Sequence, residues 1–334
     1  MAKKVLITGA NGLLGSAVAA RFVAAGDEVF ALCRKSADLS LLEKIKDKIS
    51  IVEGDVLDIF SLEKAIEKVE YVVHTAAVVS FAPKDRDIMY KVNVEGTANV
   101  VNVCLSLSIN KLCFVSSIAA LGRPSNHLKT DDIKVIDETQ KWEDSPLNAH
   151  YAITKYQAEN EVWRGEAEGL KMVVVNPSII IGEGDWHKSS TKLFKYVYDK
   201  NKFYTEGCIN YVDLLDVAEA IYRLIDSDIS GERYILNAGT TTYKDFFEKI
   251  AKGFHISPPS KSIKPWLANI IWRAEALRAF ITGSTPLITK ETTKNSRTKF
   301  AYNNEKVVKD LNIQFRTLDE SITRICQYLA QEKR

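Results

Sequence analysis

Residues 5–15 read VLITGANGLLG: an apolar, β-branched run ends at Thr8, glycines follow at 9, 12 and 15, and a helical pattern begins at Leu13. Each glycine has a separate task in such a strand–loop–helix unit. Gly9 permits the tight turn, Gly12 lets the backbone approach a pyrophosphate, and Gly15 lets the helix lie close on the strand. The first N–H groups of the helix have no partner within it and carry partial positive charge, which suits phosphate. Gly9, Asn11, Gly12, Leu13, Leu14 and Gly15 are therefore the first candidates for a dinucleotide site. A βα turn without a ligand could hold the same glycines; the strand before them and the helix after them favour the dinucleotide.

Working outward, short β-branched runs recur at 4–8, 28–33, 49–53, 71–75, 111–116 and 171–176. They lack apolar–polar alternation, as expected of strands buried on both faces of a parallel sheet. Helical patterns at 12–25, 61–68, 85–107 and 149–168 separate them, which predicts an α/β fold with a doubly wound parallel sheet. Beyond Pro177 the rhythm changes. Helical patterns near 190–200, 213–227, 243–253 and 266–281 come with fewer strands, and Pro258, Pro259, Pro265 and Pro286 punctuate them. RYILNA (233–238) reads as one strand returning to the main sheet. The expected division is a nucleotide-binding domain over 1–177 plus about 210–238, and a smaller, mostly helical C-terminal substrate lobe over 178–209 and 239–334.

Across its 334 residues the chain is 46% hydrophobic and 26% charged, with a formal net charge of +2. That balance gives no electrostatic ground for nucleic acid. The five cysteines are far apart, with no C-x-x-C pair, and no histidine stands at ligand spacing from another histidine or a cysteine. Both facts argue for a reducing compartment and against a metal. The start, MAKKVLITGANGLLG, has no proper signal-peptide core, so a cytoplasmic domain is expected. No uncharged window reaches the roughly 18 residues that span a bilayer. The stretch PWLANIIWRAEALRAFITG from Pro265 carries Arg273, Glu275 and Arg278, so it reads as an amphipathic helix: core packing, a lid over an apolar substrate, or a membrane-touching face.

The spacing Gly-x-x-Gly-x-x-Gly, in the form TGxxGxxG, resembles that of the extended branch of the short-chain dehydrogenase/reductase superfamily. Further motifs follow in that family's order along nearly the whole chain. Asp55 and Val56 in EGDV stand where the family contacts adenine. HTAA (74–77) resembles the HxAA that passes beside the cofactor, bringing in Thr75, Ala76 and Ala77. NVEGT (93–97) resembles NVxGT, whose asparagine, here Asn93, helps fix the active-site helix. VSSIAALG places Ser117 at the catalytic serine position, and NAHYAITKYQAE (148–159) supplies the Tyr-x-x-x-Lys pair as Tyr151 and Lys155. NPS (176–178) resembles the loop touching the nicotinamide carboxamide, through Pro177 and Ser178. YVDLLDVAEAI (211–221) resembles the Y-x-H-V-x-D-V-A element. The resemblance implies a Rossmann-type nucleotide-binding domain, and Ser80, Ser117 and Trp186 as substrate contacts. It also implies a homodimer through the helices at 85–107 and 149–168.

Tyr151 and Lys155 are four residues apart and share one helix face. Free tyrosine titrates at about 10, poorly matched to proton transfer at neutral pH, and a lysine cation beside it is expected to lower that value. In the family the lysine also bonds the nicotinamide ribose. Ser117 would hold the substrate oxygen while Tyr151 moves its proton. For the cofactor, the second strand ends into Arg34 and Lys35, with no carboxylate at the place where NAD-specific relatives bind the ribose 2′-hydroxyl. A guanidinium grips a 2′-phosphate, so the reading favours NADP(H), with NAD(H) as the alternative. Two departures bear on the reaction. Ile209 stands where sugar-nucleotide members carry a phosphate-binding arginine, though Arg297 could supply a cation. No acidic pair follows Ser117, which disfavours dehydration. The expectation is a carbonyl reductase or alcohol dehydrogenase for a small to medium, fairly apolar carbonyl or alcohol substrate. An NAD-dependent nucleotide-sugar epimerase is the first alternative. A non-catalytic dinucleotide sensor is the second, and the Tyr-x-x-x-Lys pair argues against it.

Overall fold

The structure is a computed structural model of the chain and describes residues 2–123, 133–263 and 300–332. Seven of the apolar runs become strands of one sheet: β1 (Lys4–Thr8), β2 (Glu28–Cys33), β3 (Ile49–Glu53), β4 (Tyr71–His74), β5 (Lys111–Val115), β6 (Met172–Pro177) and β7 (Glu232–Leu236). Their order across the sheet is β3-β2-β1-β4-β5-β6-β7, and every pairing is parallel. The order reverses at β1, so the connections leaving β1 and β4 diverge and open a crevice beyond their C-terminal ends, the usual ligand position in such sheets. Thr8, the last residue of β1, pairs with Leu32 on one side and His74 on the other.

Both faces of the sheet are covered, which is why its strands show no polar alternation. Val5, Ile7, Val73, Cys113 and Val173 point to one side, against α1 (Leu13–Ala24) and the helix Leu214–Asp226. Leu6, Val72, Leu112, Phe114 and Val174 point to the other. There they meet α2 (Ile59–Ile66), α3 (Gly96–Ser106) and α4 (His150–Ala167). The expected helix at 85–107 is present but not uniform. Over Lys91–Glu95 it widens by one residue, with Gly96 N–H reaching back to Lys91 O. Such a π-turn re-aims its side chains, and Asn93 lies within it.

Outside the main sheet lies a smaller one, which crosses the expected division at 209/210. Cys208–Asp213 pairs in parallel with Ile179–Ile181 and antiparallel with Gly239–Thr242. Ile209, Phe194, Phe246 and Ile325 form its core with the helices Thr191–Tyr198, Tyr243–Gly253 and Leu318–Gln331. Three- and four-residue strands carry too few residues to show a period, so the sequence pattern passes over them. The amphipathic helix expected at 265–283 and Arg297 lie outside the described residues. Among the described residues no helix is long and apolar enough to cross a membrane.

One ion pair ties the smaller core to a helix of the main sheet. Asp213, fully buried, caps the helix at Leu215 N–H and takes both Nη2 contacts of Arg324, at 2.8 and 2.6 Å. Arg324 also reaches Glu183 at 3.0 Å. Asp213 stands where the family motif has histidine, and its role here is visible: it ties the helix Leu214–Asp226 to the C-terminal helix. Removing Arg324 leaves a buried carboxylate unpaired. Because the guanidinium is 26% exposed, water softens the loss, and Arg324→Met is expected to cost about 2 kcal/mol, read as a lower urea midpoint at unchanged slope.

Candidate active site

The glycine loop closes over the end of β1. Gly9 adopts φ +67°, and a Cβ there would lie 2.8 Å from the backbone of Ala76. A Cβ on Gly15 would sit 2.2 Å from Gly9 O, so protein packing alone demands glycine at both positions. Gly12 is different. It is exposed, its φ and ψ are −82° and 170°, and a Cβ would meet only Gly9 O, at 3.2 Å. Protein contacts constrain that glycine less than the other two, which leaves room for close approach of a pyrophosphate. Gly12 is also the N-cap of α1 and gives it no side-chain cap, so first-turn N–H groups are left for phosphate oxygens.

A buried chain of hydrogen bonds fixes the neighbouring loop. Thr97 Oγ1 donates to Asn93 O at 2.6 Å, so it must accept from His74 Nε2 at 3.0 Å. His74 Nδ1 then accepts from Thr8 Oγ1 at 2.7 Å. The imidazole is neutral; burial holds it well below its usual range, at about 3, with the charge of Lys155 a second cause. Thr75 Oγ1 donates to Thr8 O at 2.7 Å, and Ala76 N–H to Thr8 Oγ1 at 3.3 Å. Thr75 and Ala76 are thus seated against the glycine loop, with Ala77 exposed just beyond. Asn93 accepts from Val78 N–H at 2.7 Å and donates to Val78 O at 3.0 Å and Thr154 Oγ1 at 3.1 Å. One amide therefore clamps this loop to α4.

Ser117 follows β5 and caps the short turn Ile118–Leu121, accepting from Ala119 N–H. Its hydroxyl stands beside that of Tyr151, at the start of α4, and favours the phenolate there. One turn on, Lys155 is buried, its Nζ 2.8 Å from Val115 O and 4.4 Å from the Phe114 ring centroid. The titration expected for the pair is corrected here. Burial pushes the Tyr151 hydroxyl up to about 12, the Ser117 hydroxyl opposing, and Lys155 is not among the causes. Burial also pushes Lys155 down to about 7, with Glu159 opposing. A shared helix face does not by itself couple the two; the desolvation of each outweighs their mutual effect.

The remaining candidates fall in three groups. At the end of β2, Arg34 is exposed, and the segment it opens returns to the glycine loop: Asp38 O accepts from Asn11 Nδ2 at 3.3 Å. The Asp38 carboxylate is held by Ser40 N–H and by Lys188 at 2.9 Å, and these hold it at about 2. Asp55 follows β3 and is engaged with Ser61 and Leu57; Val56 packs beneath Gly96. At the end of β6, Ser178 Oγ and Asn176 Oδ1 are buried with no hydrogen-bond partner among the described residues, next to Pro177. Buried polar atoms without partners carry a cost, and a carboxamide is a fitting complement.

Of the expected substrate contacts, Ser80 lies next to Phe81 on the loop after β4, and Trp186 is buried in the core of the smaller sheet. Ser80 Oγ donates to Asp85 at 2.6 Å and organises its own loop. Within that core the Trp186 ring is 5.1 Å from that of Tyr198 and 5.7 Å from that of Phe254. Ile209 is likewise a core residue there. Conversely, Phe81 packs edge-on against Tyr151 at 6.3 Å, and buried Glu159 lies one turn beyond Lys155. Glu159 was legible as the next i+4 step after Lys155; Phe81, on an irregular loop, offered no period to read. Among the described residues no cluster could hold a metal ion.

A seven-stranded doubly wound sheet with the glycine loop at its switch point defines a dinucleotide-binding enzyme of the extended short-chain dehydrogenase/reductase type. The chain belongs to the NAD dependent epimerase/dehydratase family, whose profile matches residues 5–239. It is similar to cinnamoyl-CoA reductase 1 of Petunia hybrida, at 30% identity over 77% of this chain and 79% of that protein. It is also similar to sterol demethylase protein B of Methylococcus capsulatus, at 28% identity over 69% of this chain and 68% of that protein. Among solved structures, gox2253 superposes with a TM-score of 0.82 at 28% identity, covering 99% of this chain and 98% of that one. The protein is accordingly an NAD(P)-dependent oxidoreductase of this family.

Proposed function

We propose that the protein is an NADP(H)-dependent carbonyl reductase or alcohol dehydrogenase acting on a small to medium, fairly apolar substrate. The observation that supports the chemistry is the Ser117 hydroxyl set beside that of Tyr151, close enough to lower the phenol's titration, with Lys155 one turn further along the same helix. When bound, the nicotinamide supplies or accepts the hydride. Ser117 holds the substrate oxygen, and Tyr151 delivers or removes its proton. Lys155 holds the nicotinamide ribose, Asn93 keeps α4 against the loop after β4, and Ser178 meets the carboxamide. Gly9, Gly12 and Gly15, with the N–H groups of Leu13 and Leu14, cradle the pyrophosphate.

Two features favour a reductase over a sugar-nucleotide epimerase. Ile209 is buried where such an enzyme would place a phosphate-binding cation, and the Petunia relative is named as a reductase. Arg34 is assigned the 2′-phosphate, since the carboxylate that follows it, Asp38, is already engaged by Lys188. Arg34→Ala is therefore expected to weaken NADPH by about tenfold and leave NADH within about twofold, measured by nucleotide fluorescence.

The deciding experiment is to denature the purified protein and identify the nucleotide released by mass spectrometry. A parallel sample tests exchange with added NADPH. A reductase must release its cofactor at each turnover, so an empty or readily exchanged site is expected. NAD held near one per chain and exchanging slowly would overturn the reductase reading in favour of an epimerase.

A further inference from the structure

We infer that Glu159 is a positioning residue: its buried carboxylate joins the strand ends carrying Ser117 and Ser178 to the helix carrying Tyr151 and Lys155, and presents a fixed negative charge to Lys155. This rests on the assignment of Tyr151 and Lys155 as the proton-handling pair. Glu159 is 3% exposed and receives four donors. Ser116 Oγ, beside Ser117, donates at 2.6 Å, and Asn176 Nδ2 at 2.9 Å. The same Asn176 Nδ2 reaches Ser117 O at 3.0 Å. Trp163 Nε1 and Arg233 Nη1, from β7, donate to the other oxygen, both at 3.3 Å.

Three N–H donors and the Ser116 hydroxyl converge on the two oxygens, a set that suits a carboxylate, whereas an amide would turn N–H against N–H at one of them. The charge is costly to bury unless compensated. Arg233 compensates it from one side, anchored by Glu138 O at 3.0 and 2.6 Å and Gln140 O at 2.8 Å. Lys155, one helical turn away, compensates it from the other, and Glu159 in turn favours the lysine's charged form. The titratable groups that act on or are acted on by Lys155 are Glu159 on its own helix and neutral His74 from β4. Asn93 and the turn Ile118–Leu121, packed on the same helix, bring no charge.

The test follows the ionisation of Lys155 by NMR in protein labelled with [13C]lysine, the resonance assigned by its loss in Lys155→Met. Glu159→Gln keeps the shape and removes the charge, so the Lys155 midpoint is expected to fall by about one pH unit. Arg233→Gln leaves Glu159 to face Lys155 alone, and the midpoint is expected to rise. Opposite shifts are a signature that loosened packing does not produce. If neither variant moves the midpoint, or both move it the same way, the inference is overturned. Should Glu159→Gln fail to fold, Arg233→Gln decides alone, a rise supporting and no rise overturning. Tyr151→Phe separates the two layers. An inactive Tyr151→Phe beside an unmoved lysine overturns Glu159 only, whereas a fully active one removes the pair and the role given to Glu159 with it.

Discussion

Tyr151→Phe lowers kcat for carbonyl reduction by about a thousandfold while nucleotide affinity stays within about twofold, because one positioned proton donor is lost and nothing else. The substitution keeps the ring, and with it the edge-on contact to Phe81 at 6.3 Å. It removes the hydroxyl that meets Ser117, so the substrate oxygen keeps one hydrogen-bonding partner and loses its proton source. The cradle around the glycine loop is untouched. The pH dependence follows from the direction of the shift. Burial pushes the Tyr151 hydroxyl up to about 12, so the phenol remains protonated throughout the neutral range. Reduction needs that protonated form and should not be limited by it at or below neutral pH; alcohol oxidation needs the phenolate and should climb with pH. Steady-state rates in both directions over a panel of ketones, aldehydes and their alcohols measure this, with NADPH fluorescence reporting affinity. Activity within tenfold of the parent would remove Tyr151 as the proton donor.

The doubly wound sheet was legible because strands buried on both faces read as unbroken apolar runs, and β1 to β7 all lie within a residue or two of where those runs fall. The positions of Ser117, Tyr151 and Lys155 were legible from motif order. Two things were not. The strands Ile179–Ile181 and Gly239–Thr242 are three and four residues long and show no period, so the smaller sheet they belong to was not legible. The titration of Tyr151 was misread because i+4 spacing reports a shared face, whereas burial, which spacing does not report, sets the sign of the shift. Trp186 shows a similar limit: position on a loop says nothing about which way a ring turns, and this one turns toward Tyr198 and Phe254.

Gly12→Val and Gly15→Val, two substitutions three residues apart in one loop, are expected to fail in different ways. At Gly15 a Cβ would lie 2.2 Å from Gly9 O and 2.8 Å from Ala10 Cα, and neither atom can swing aside, so overpacking should cost about 3 kcal/mol or more. At Gly12 the backbone is extended, a conformation valine adopts without strain, and only Gly9 O at 3.2 Å is close. Gly12→Val should therefore fold with a smaller loss of stability than Gly15→Val, about 1 kcal/mol from the tight Gly9 O contact and the poorer N-cap, while its branched side chain occupies the approach to the α1 N-terminus and weakens nucleotide by about a hundredfold. Thermal melts with and without NADPH read both effects. For the parent, nucleotide at about a hundred times Kd adds about 2.7 kcal/mol of stability. Gly12→Val should melt only slightly below the unliganded parent and show almost none of that gain, and Gly15→Val should melt early even before nucleotide is added. If Gly12→Val kept the full gain, the pyrophosphate could not lie against that loop, and the glycine triplet would be there for the strand–helix turn alone.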